Sequence, residues 1–216
     1  MSILVACLFP LLASAQLVGT EVPEEHPSFT WSRCSSSSCT DVAGSIVLDA
    51  EHRWLRVNDT SYASCFEYSR SVIDGGAIWL NCDSNEDCTA KCALEGGDYA
   101  YTGMMDFEDE RSLSMKYHFY KDFSNTVNLR AYLLEEENKY QMFTLLDNEV
   151  AFDVDLSKVP CGLNAALRFV AMDADGGTAK YPTQKAGAKY GTGYCDAQCP
   201  QSLRYVAGEV CSLVRC

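Results

Sequence analysis

The stretch Val150-Ala-Phe-Asp-Val-Asp-Leu156 alternates apolar and acidic side chains with a period of two. A period of two places Phe152, Val154 and Leu156 on one side of an extended strand and the two aspartates on the other. Such a strand buries one face on a core and leaves its other face in solvent. The stretch therefore predicts a half-buried β-strand in a layered, all-β protein.

The same alternation recurs on both sides of this stretch. Turn residues such as Asp173-Ala-Asp-Gly-Gly177 separate the runs, and several short strands divided by turns are typical of an antiparallel sandwich. One short helix is predicted over residues 84–94, because Ser84 and Asp87 form a start that resembles a capping box. The predicted strands are residues 112–120, 127–133, 140–146, 150–156 and 163–172.

The composition indicates a globular protein from an oxidising compartment. The chain has 216 residues, a formal net charge of −13 and 12 cysteines. So many cysteines are typical of secreted proteins, and the negative charge disfavours binding to phosphate backbones or anionic membranes. We therefore expect no nucleic-acid or membrane partner, whereas a neutral polymer is compatible with this charge.

The first residues resemble a secretory leader. Residues 3–13 form an apolar run that is interrupted only by Pro10 and is too short to span a bilayer. The triplet Ala13-Ser14-Ala15 has the A-x-A form of a cleavage site. We predict a signal peptide over residues 1–15 and a secreted, extracellular chain that begins at Gln16. The sequon Asn58-Asp59-Thr60 predicts N-glycosylation at Asn58.

Taken alone, the residues offer carboxylates and aromatic rings as candidate functional groups. Asp153 and Asp155 would lie about 6.5–7 Å apart on one strand face, a separation that suits a glycosidase acid/base pair. A solvated strand face explains the same spacing. Asp173-x-Asp175 resembles the opening of a calcium loop, but the later ligands are missing and a plain turn is the simpler interpretation. The three tryptophans can stack on sugars or pack in a core.

The cysteines form clusters without zinc-finger spacing and without a neighbouring histidine. We therefore expect disulfides rather than a metal site, and no cofactor. Removing residues 1–15 takes Cys7 away and leaves an odd number of cysteines, so at least one of them lacks an intramolecular partner.

Four motifs carry a family resemblance: His26-Pro-Ser-Phe-Thr-Trp31-x-x-Cys34, Gly44-Ser-Ile-Val-Leu-Asp-Ala-Glu-His-Arg-Trp54, Phe169-Val-Ala-Met-Asp-Ala-Asp-Gly-Gly177 and Lys185-Ala-Gly-Ala-Lys-Tyr-Gly-Thr-Gly-Tyr-Cys-Asp-Ala-Gln-Cys-Pro200. They closely resemble glycoside hydrolase family 7, the secreted fungal cellobiohydrolases and endo-β-1,4-glucanases. The resemblance covers residues 16–209. It implies part of a concanavalin-like jelly-roll β-sandwich, whose concave sheet carries a cleft or tunnel for one cellulose chain.

The family resemblance implies retaining hydrolysis of β-1,4-glucosidic bonds by two glutamates in a Glu-x-Asp-x-x-Glu motif. That spacing is absent from this sequence, and in the family it follows the segment matched by residues 194–200. We therefore expect the N-terminal portion of a family domain, with no catalytic residue of its own and no activity alone. The alternative is a non-catalytic secreted protein for glucan binding or other interactions. Residues 210–216 are predicted to be a non-homologous tail, which a translated intron would explain.

The resemblance also implies how the chain binds its partner, cellulose or another β-1,4-glucan. Trp54 matches a tryptophan that stacks a sugar at the tunnel entrance, whereas His52 replaces a second stacking tryptophan. We expect a monomer when the chain is folded. The implied substrate-binding residues are Trp54, Arg130, Asn164, Tyr194, Asp196, Gln198 and Arg204.

Three disulfides are implied by the same resemblance. They pair Cys34 with Cys39, Cys65 with Cys92, and Cys82 with Cys88. Cys161, Cys195 and Cys199 match family cysteines whose partners have no counterpart in this sequence, which agrees with the odd cysteine count.

Overall fold

The computed structural model describes most of the chain from Gln16 onward. The predicted signal peptide lies outside the described residues, and so do Asn164, Cys195, Asp196, Gln198, Cys199 and Arg204. The described residues are 16–68, 77–83, 85–101, 105–116, 119–121, 124–126, 129–159, 161–162, 165–182, 184–194, 205–206 and 209–210.

The described structure is nearly all β, as the sequence predicts, with one short α-helix, α1 (Asn85–Lys91), and two single-turn 3-10 helices at Ala50–His52 and Ala188–Tyr190. None of its helices is long and apolar enough to cross a membrane. The strands are β1 (Leu17–Val18), β2 (Ser28–Cys34), β3 (Cys39–Leu48), β4 (Leu55–Val57), β5 (Phe66–Tyr68), β6 (Ala77–Trp79), β7 (Cys92–Leu94), β8 (Met105–Asp106), β9 (Ser114–Met115), β10 (Phe119–Lys121), β11 (Ser124–Thr126), β12 (Ala131–Glu136), β13 (Lys139–Tyr140), β14 (Tyr205–Val206) and β15 (Glu209–Val210).

The largest described sheet is antiparallel and has the order β13-β12-β3-β2. A disulfide between Cys34 and Cys39 closes the β2–β3 hairpin, and these two residues face each other in the register. The last three residues of β3 are buried. Beyond them, the backbone N–H of Asp49 donates to the carbonyl of Arg130 at 3.1 Å, so the two side chains emerge from the same end of the sheet.

A second sheet has the order β1-β7-β4, with β1 parallel and β4 antiparallel to β7. The buried disulfide between Cys65 and Cys92 packs here against Leu55 and Leu94. A third disulfide, between Cys82 and Cys88, joins α1 to the residues that precede it. All three pairs are those that the family resemblance implies, whereas Cys161 is an exposed free cysteine.

The glycine-rich segment of residues 174–194 packs onto both sheets rather than forming a loose connection. The Thr192 hydroxyl lies 3.1 Å from the Gly176 carbonyl and 2.9 Å from the Gly187 carbonyl, and it accepts from Gln184 at 2.9 Å. Gly191 has a φ of 70° and lies against the Leu48 carbonyl, where any side chain would collide with β3. This segment therefore brings Tyr194 back to the end of the main sheet.

Three of the predicted strands are wrong. Residue 140 ends β13, and no described residue from 141 to 172 pairs in a sheet. A strand needs a neighbour for its N–H and C=O groups, and the described chain supplies none beside this segment. The side chains that were expected to face a core are exposed instead, among them Phe152, Val154, Leu156, Leu167 and Phe169.

Other boundaries shift by a few residues. The predicted helix ends at Lys91, because Cys92 already belongs to β7. The strand predicted over residues 127–133 begins only at Ala131, which leaves Arg130 just before it, and residues 127–128 lie outside the described chain. Within residues 112–120, only β9 and the start of β10 are strands, while residues 117–118 are not described.

Candidate functional site

Arg130 lies between two carboxylates at the end of the main sheet. Its Nε is 3.2 Å from Asp49 Oδ2, and its Nη2 forms an ion pair with Glu51. The Asp49 carboxylate also accepts from the Glu51 backbone N–H at 2.7 Å and from the Tyr132 hydroxyl. Asp49, Glu51, Arg130 and Tyr132 therefore form one network, in which the two carboxylates are buried and Arg130 and Tyr132 are partly buried; we call it the Arg130 cluster.

Aromatic rings enclose the Arg130 cluster. The Arg130 guanidinium lies 4.9 Å from the centroid of the Tyr194 ring, and the Tyr132 and Tyr194 rings are 6.0 Å apart. Burial lowers the pKa of Arg130, but the negative charges of Asp49 and Glu51 outweigh this effect and raise it. Burial and the Asp49 charge raise the pKa of Tyr132. Arg130 therefore stays charged and Tyr132 stays a hydrogen-bond donor over the whole physiological pH range.

Trp54 lies five residues after Asp49, so the two α-carbons are no more than about 18 Å apart. Its side chain is 39% exposed. The buried Arg56 guanidinium lies 5.9 Å from the Trp54 ring and is held by Glu95, with Nε–Oε1 at 2.6 Å. The indole is therefore presented to solvent from a rigid base.

Sequence reasoning missed Tyr62, which lies on the same guanidinium. Its ring centroid is 5.6 Å from Arg56, and its side chain is 52% exposed. Tyr62 also has a φ of 56°, a conformation that a bulky residue adopts only under constraint. The signal in the sequence is a single aromatic residue within the polar run of residues 58–64.

The candidate acid/base pair, Asp153 and Asp155, lies in surroundings that do not suit a general acid. Asp153 and Asp155 are both exposed. The Asp155 carboxylate accepts from the Ser157 backbone N–H at 2.8 Å, and hydrogen bonding by Ser157 lowers the pKa of Asp155. A general acid requires a raised pKa, so Asp155 behaves as a turn residue.

The two aspartates of the possible calcium loop are also used within a turn. Asp175 accepts from the backbone N–H groups of Gly177 at 2.9 Å and Ala179 at 2.7 Å. Asp173 pairs with Lys180 at 2.7 Å. Among the described residues, no group of three or more histidine, cysteine or acidic side chains could hold a metal ion. Asn58 is exposed in the turn after β4, and its glycosylation stays a prediction.

A protein-family model described as "Glycosyl hydrolase family 7" matches residues 18–213. The chain belongs to glycosyl hydrolase family 7. The family 7 match includes residues 210–213, the first part of the predicted tail.

Solved structures agree with this family assignment. A cellobiohydrolase from Melanocarpus albomyces, solved with cellotetraose, is 43% identical with a TM-score of 0.79. A family 7 cellobiohydrolase from Daphnia pulex is 38% identical with a TM-score of 0.80, and the native Humicola insolens endocellulase is 30% identical with a TM-score of 0.70. The predicted family and the all-β, disulfide-containing sandwich class are therefore confirmed.

The matches cover most of this chain and less than half of each relative. The Melanocarpus enzyme matches 90% of this chain over 44% of its own length. The corresponding shares are 90% and 43% for the Daphnia enzyme, and 89% and 46% for the Humicola enzyme.

Proposed function

We propose that this chain is the glucan-binding portion of a secreted family 7 hydrolase that cleaves β-1,4-glucosidic bonds in cellulose. The observation that carries this proposal is the exposed Trp54 ring on its Arg56 base, five residues along the chain from Asp49 of the Arg130 cluster. The apolar face of a pyranose packs on such rings, while charged side chains bond to its hydroxyls. Cellotetraose in the Melanocarpus structure supports the class of ligand, and three disulfides support an oxidising compartment.

The charge of the Arg130 cluster favours a neutral ligand. Two carboxylates outweigh the single guanidinium, so the cluster offers hydrogen bonds without attracting anions. Within the described chain, the bonds of Arg130 run through Nε and Nη2, which leaves the Nη1 N–H groups to donate to a ligand hydroxyl that approaches them. A glucan chain meets these requirements because it carries hydroxyls and no charge.

Binding without cleavage is the second part of the proposal. The sequence lacks the Glu-x-Asp-x-x-Glu spacing that the family resemblance requires. The candidate pair Asp153 and Asp155 is no evident replacement, since both side chains are exposed and hydrogen bonding lowers the pKa of Asp155. We therefore expect the chain alone to bind β-1,4-glucan and not to hydrolyse it.

A cellulose pull-down and calorimetry with cellotetraose test the binding. Trp54→Ala should weaken the affinity about tenfold, or about 1.4 kcal/mol, because it removes the stacking ring. Tyr62→Ala should have a smaller effect in the same direction. Tyr181→Ala is the matched control, since Tyr181 is 37% exposed and belongs neither to the Arg130 cluster nor to the rings on Arg56. Equal losses for Trp54→Ala and Tyr181→Ala, or no binding by the unmodified chain, would contradict the proposal.

Turnover of a soluble aryl cellobioside tests the absence of cleavage. The purified chain should release no more chromophore than a buffer blank. Hydrolysis that disappears in Asp153→Asn or Asp155→Asn would show instead that this pair is catalytic.

A further inference from the structure

The Arg56 guanidinium is the buried base of three exposed side chains. Its Cζ lies 5.9 Å from the centroid of the Trp54 ring and 5.6 Å from that of the Tyr62 ring. Its Nη2 lies 3.7 Å from Glu21 Oε1, and the Arg56 side chain is 3% exposed where that of Glu21 is 41% exposed. Trp54, Tyr62 and Glu21 therefore converge on one guanidinium from two separate stretches of the chain, and we call them the Arg56 platform.

One buried carboxylate fixes the Arg56 platform. Glu95 is fully buried, and its Oε1 accepts from Arg56 Nε at 2.6 Å. Its Oε2 accepts from the backbone N–H groups of Glu21 at 2.9 Å and Val22 at 3.0 Å. The same side chain thus holds the guanidinium under the two rings and the backbone that carries Glu21. The platform is formed before a ligand arrives, which reduces the entropy lost on binding.

The loop of residues 58–64 places Tyr62 on the platform. Arg56 Nη1 donates to the Asp59 carbonyl at 3.2 Å, and the Asp59 carboxylate accepts from the Ser61 backbone N–H at 2.8 Å. Tyr62 follows with a φ of 56°, in the left-handed region that bulky residues rarely adopt. Such a conformation persists only where the surrounding structure imposes it, and it is concentrated at functional positions such as ligand clamps.

The chemistry of the Arg56 platform fits a neutral sugar chain. Its two rings offer apolar faces on which pyranose rings can stack. The distance from Glu21 to Arg56 is too long for a hydrogen bond, so the Glu21 carboxylate can accept from a sugar hydroxyl. Both ring distances are measured to the same atom of Arg56, so the ring centroids are no farther apart than the sum of the two. One oligosaccharide can span that separation.

We propose that Tyr62 stacks a second sugar unit of a β-1,4-glucan whose first unit lies on Trp54, and that Glu21 accepts a hydrogen bond from a hydroxyl of the same chain. The inference rests on the proposed glucan binding and extends it from one ring to a site for at least two sugar units. Arg56 and Glu95 are positioning residues of this site. A long ligand gains more from the platform than a short one, because only a long ligand covers both rings.

Calorimetry with cellobiose, cellotetraose and cellohexaose tests this dependence on length. A short ligand should settle on Trp54, since tryptophan offers the larger ring. Tyr62→Asn removes the second ring, and asparagine tolerates the left-handed backbone. We expect Tyr62→Asn to weaken cellohexaose binding about threefold or more and cellobiose binding less than about twofold, with cellotetraose between them. Tyr62→Phe keeps the ring and should bind all three ligands as the unmodified chain does.

Melting temperatures separate a binding role of Tyr62 from a structural one. Tyr62→Asn relieves the left-handed conformation, so it should melt no lower than the unmodified chain while its affinity falls. Glu21→Ala should weaken cellohexaose binding about twofold, because it removes one hydrogen-bond acceptor. Glu25→Ala is its matched control, since Glu25 is also an exposed carboxyl of the same stretch and does not belong to the platform.

A glycan on Asn58 would lie in the same loop as Tyr62, so the measurements are repeated in an Asn58→Gln background. The effect of Tyr62→Asn on cellohexaose binding should persist there. Its disappearance would identify the chain's own glycan as the occupant of the Tyr62 ring and overturn the inference.

Two further outcomes would overturn it: equal losses for Tyr62→Asn at all three ligand lengths, or a lower melting temperature with unchanged affinity. If the unmodified chain binds none of the three ligands, the proposed glucan binding itself fails. If binding requires Trp54 and is indifferent to Tyr62, only the second stacking position fails.

Discussion

At the scale of single residues, Arg130 is one positive charge that is paired with two negative charges in a largely buried site. Removing one carboxylate and removing the guanidinium should therefore lower the free energy of unfolding by different amounts. Losing one carboxylate leaves a neutral ion pair, whereas losing the guanidinium leaves two carboxylates together without a counter-charge. An unpaired buried charge is the costly state.

We expect Arg130→Met to destabilise the chain by about 3 kcal/mol or more. Asp49→Asn and Glu51→Gln should each cost clearly less. Urea unfolding of the three variants at neutral pH ranks their losses in free energy of unfolding. If Asp49→Asn costs as much as Arg130→Met, then hydrogen bonding to Asp49, rather than charge balance, dominates the cluster.

Glu24 gives a prediction about pH. Burial would raise the pKa of its carboxyl, but hydrogen bonds from His26 and Arg53, together with the Arg53 charge, outweigh burial and lower it from 4.5 to about 2. Because the folded-state pKa is the lower one, the stabilisation is fully present above pH 4.5. It disappears as the pH falls towards 2, and its size is about 3 kcal/mol.

Glu24→Gln should therefore lower the free energy of unfolding at pH 7 and flatten its decline between pH 4.5 and pH 2. Glu25→Gln changes the exposed neighbouring carboxyl and is the control. Urea titrations across this pH range provide the measurement. A Glu24→Gln curve parallel to that of the unmodified chain would contradict the prediction.

At the scale of elements, alternation along the sequence identifies residues that would share one face of a strand, but it does not identify the neighbouring strand with which they would pair. The pattern Phe152, Val154 and Leu156 predicts a strand, yet no strand forms where the described chain has no neighbour to pair with. Conversely, the sequence did not predict the β2–β3 hairpin, because Gly44 and the serine run at residues 35–38 interrupt the alternation of apolar and polar residues. Pairing and a disulfide determine this hairpin, and neither follows from periodicity.

The docking of the segment of residues 174–194 depends on glycine at position 191. A Cβ there would lie only 2.2 Å from the Leu48 carbonyl oxygen, which is a collision, and the φ is also positive. Gly162 has a similar positive φ of 83° but meets no described atom within 4 Å. Gly162→Ala should therefore cost only the left-handed backbone penalty of about 1 kcal/mol. Gly191→Ala should cost at least twice as much by thermal unfolding, and equal costs would show that the segment can move away from β3.

At the scale of the whole molecule, the disulfides restrict the unfolded chain to different extents. Cys65–Cys92 spans 27 residues and Cys34–Cys39 spans 5. The entropy of loop closure makes the longer link more stabilising by about 1.5 kcal/mol, and its two cysteines are also fully buried. The double variant Cys65→Ala/Cys92→Ala should thus melt at a lower temperature than Cys34→Ala/Cys39→Ala. The reverse order in calorimetry would contradict the loop-length argument.

The candidate site was predictable only where motif and chemistry coincide. Trp54, Arg130 and Tyr194 follow from the family resemblance, and the structure places Arg130 beneath the Tyr194 ring. The carboxylates that hold Arg130 come from Asp49 and Glu51, about 80 residues earlier in the chain, and were not predicted. Tyr62 was missed for the same reason, since only the fold brings its ring onto Arg56.

The parallel pairing of β1 with β7 sets an order of events during synthesis. Leu17 pairs with Ala93, so the first strand waits until its partner has left the ribosome, on the order of 4–15 s at about 5–20 residues per second. Cys65 waits for Cys92 over part of the same interval. Cys34–Cys39 and Cys82–Cys88 span only 5 and 6 residues and can oxidise as soon as they emerge. Early oxidation of these two local pairs removes four thiols that could otherwise react with Cys65. Cys65 is then available for Cys92, whose strand completes the second sheet.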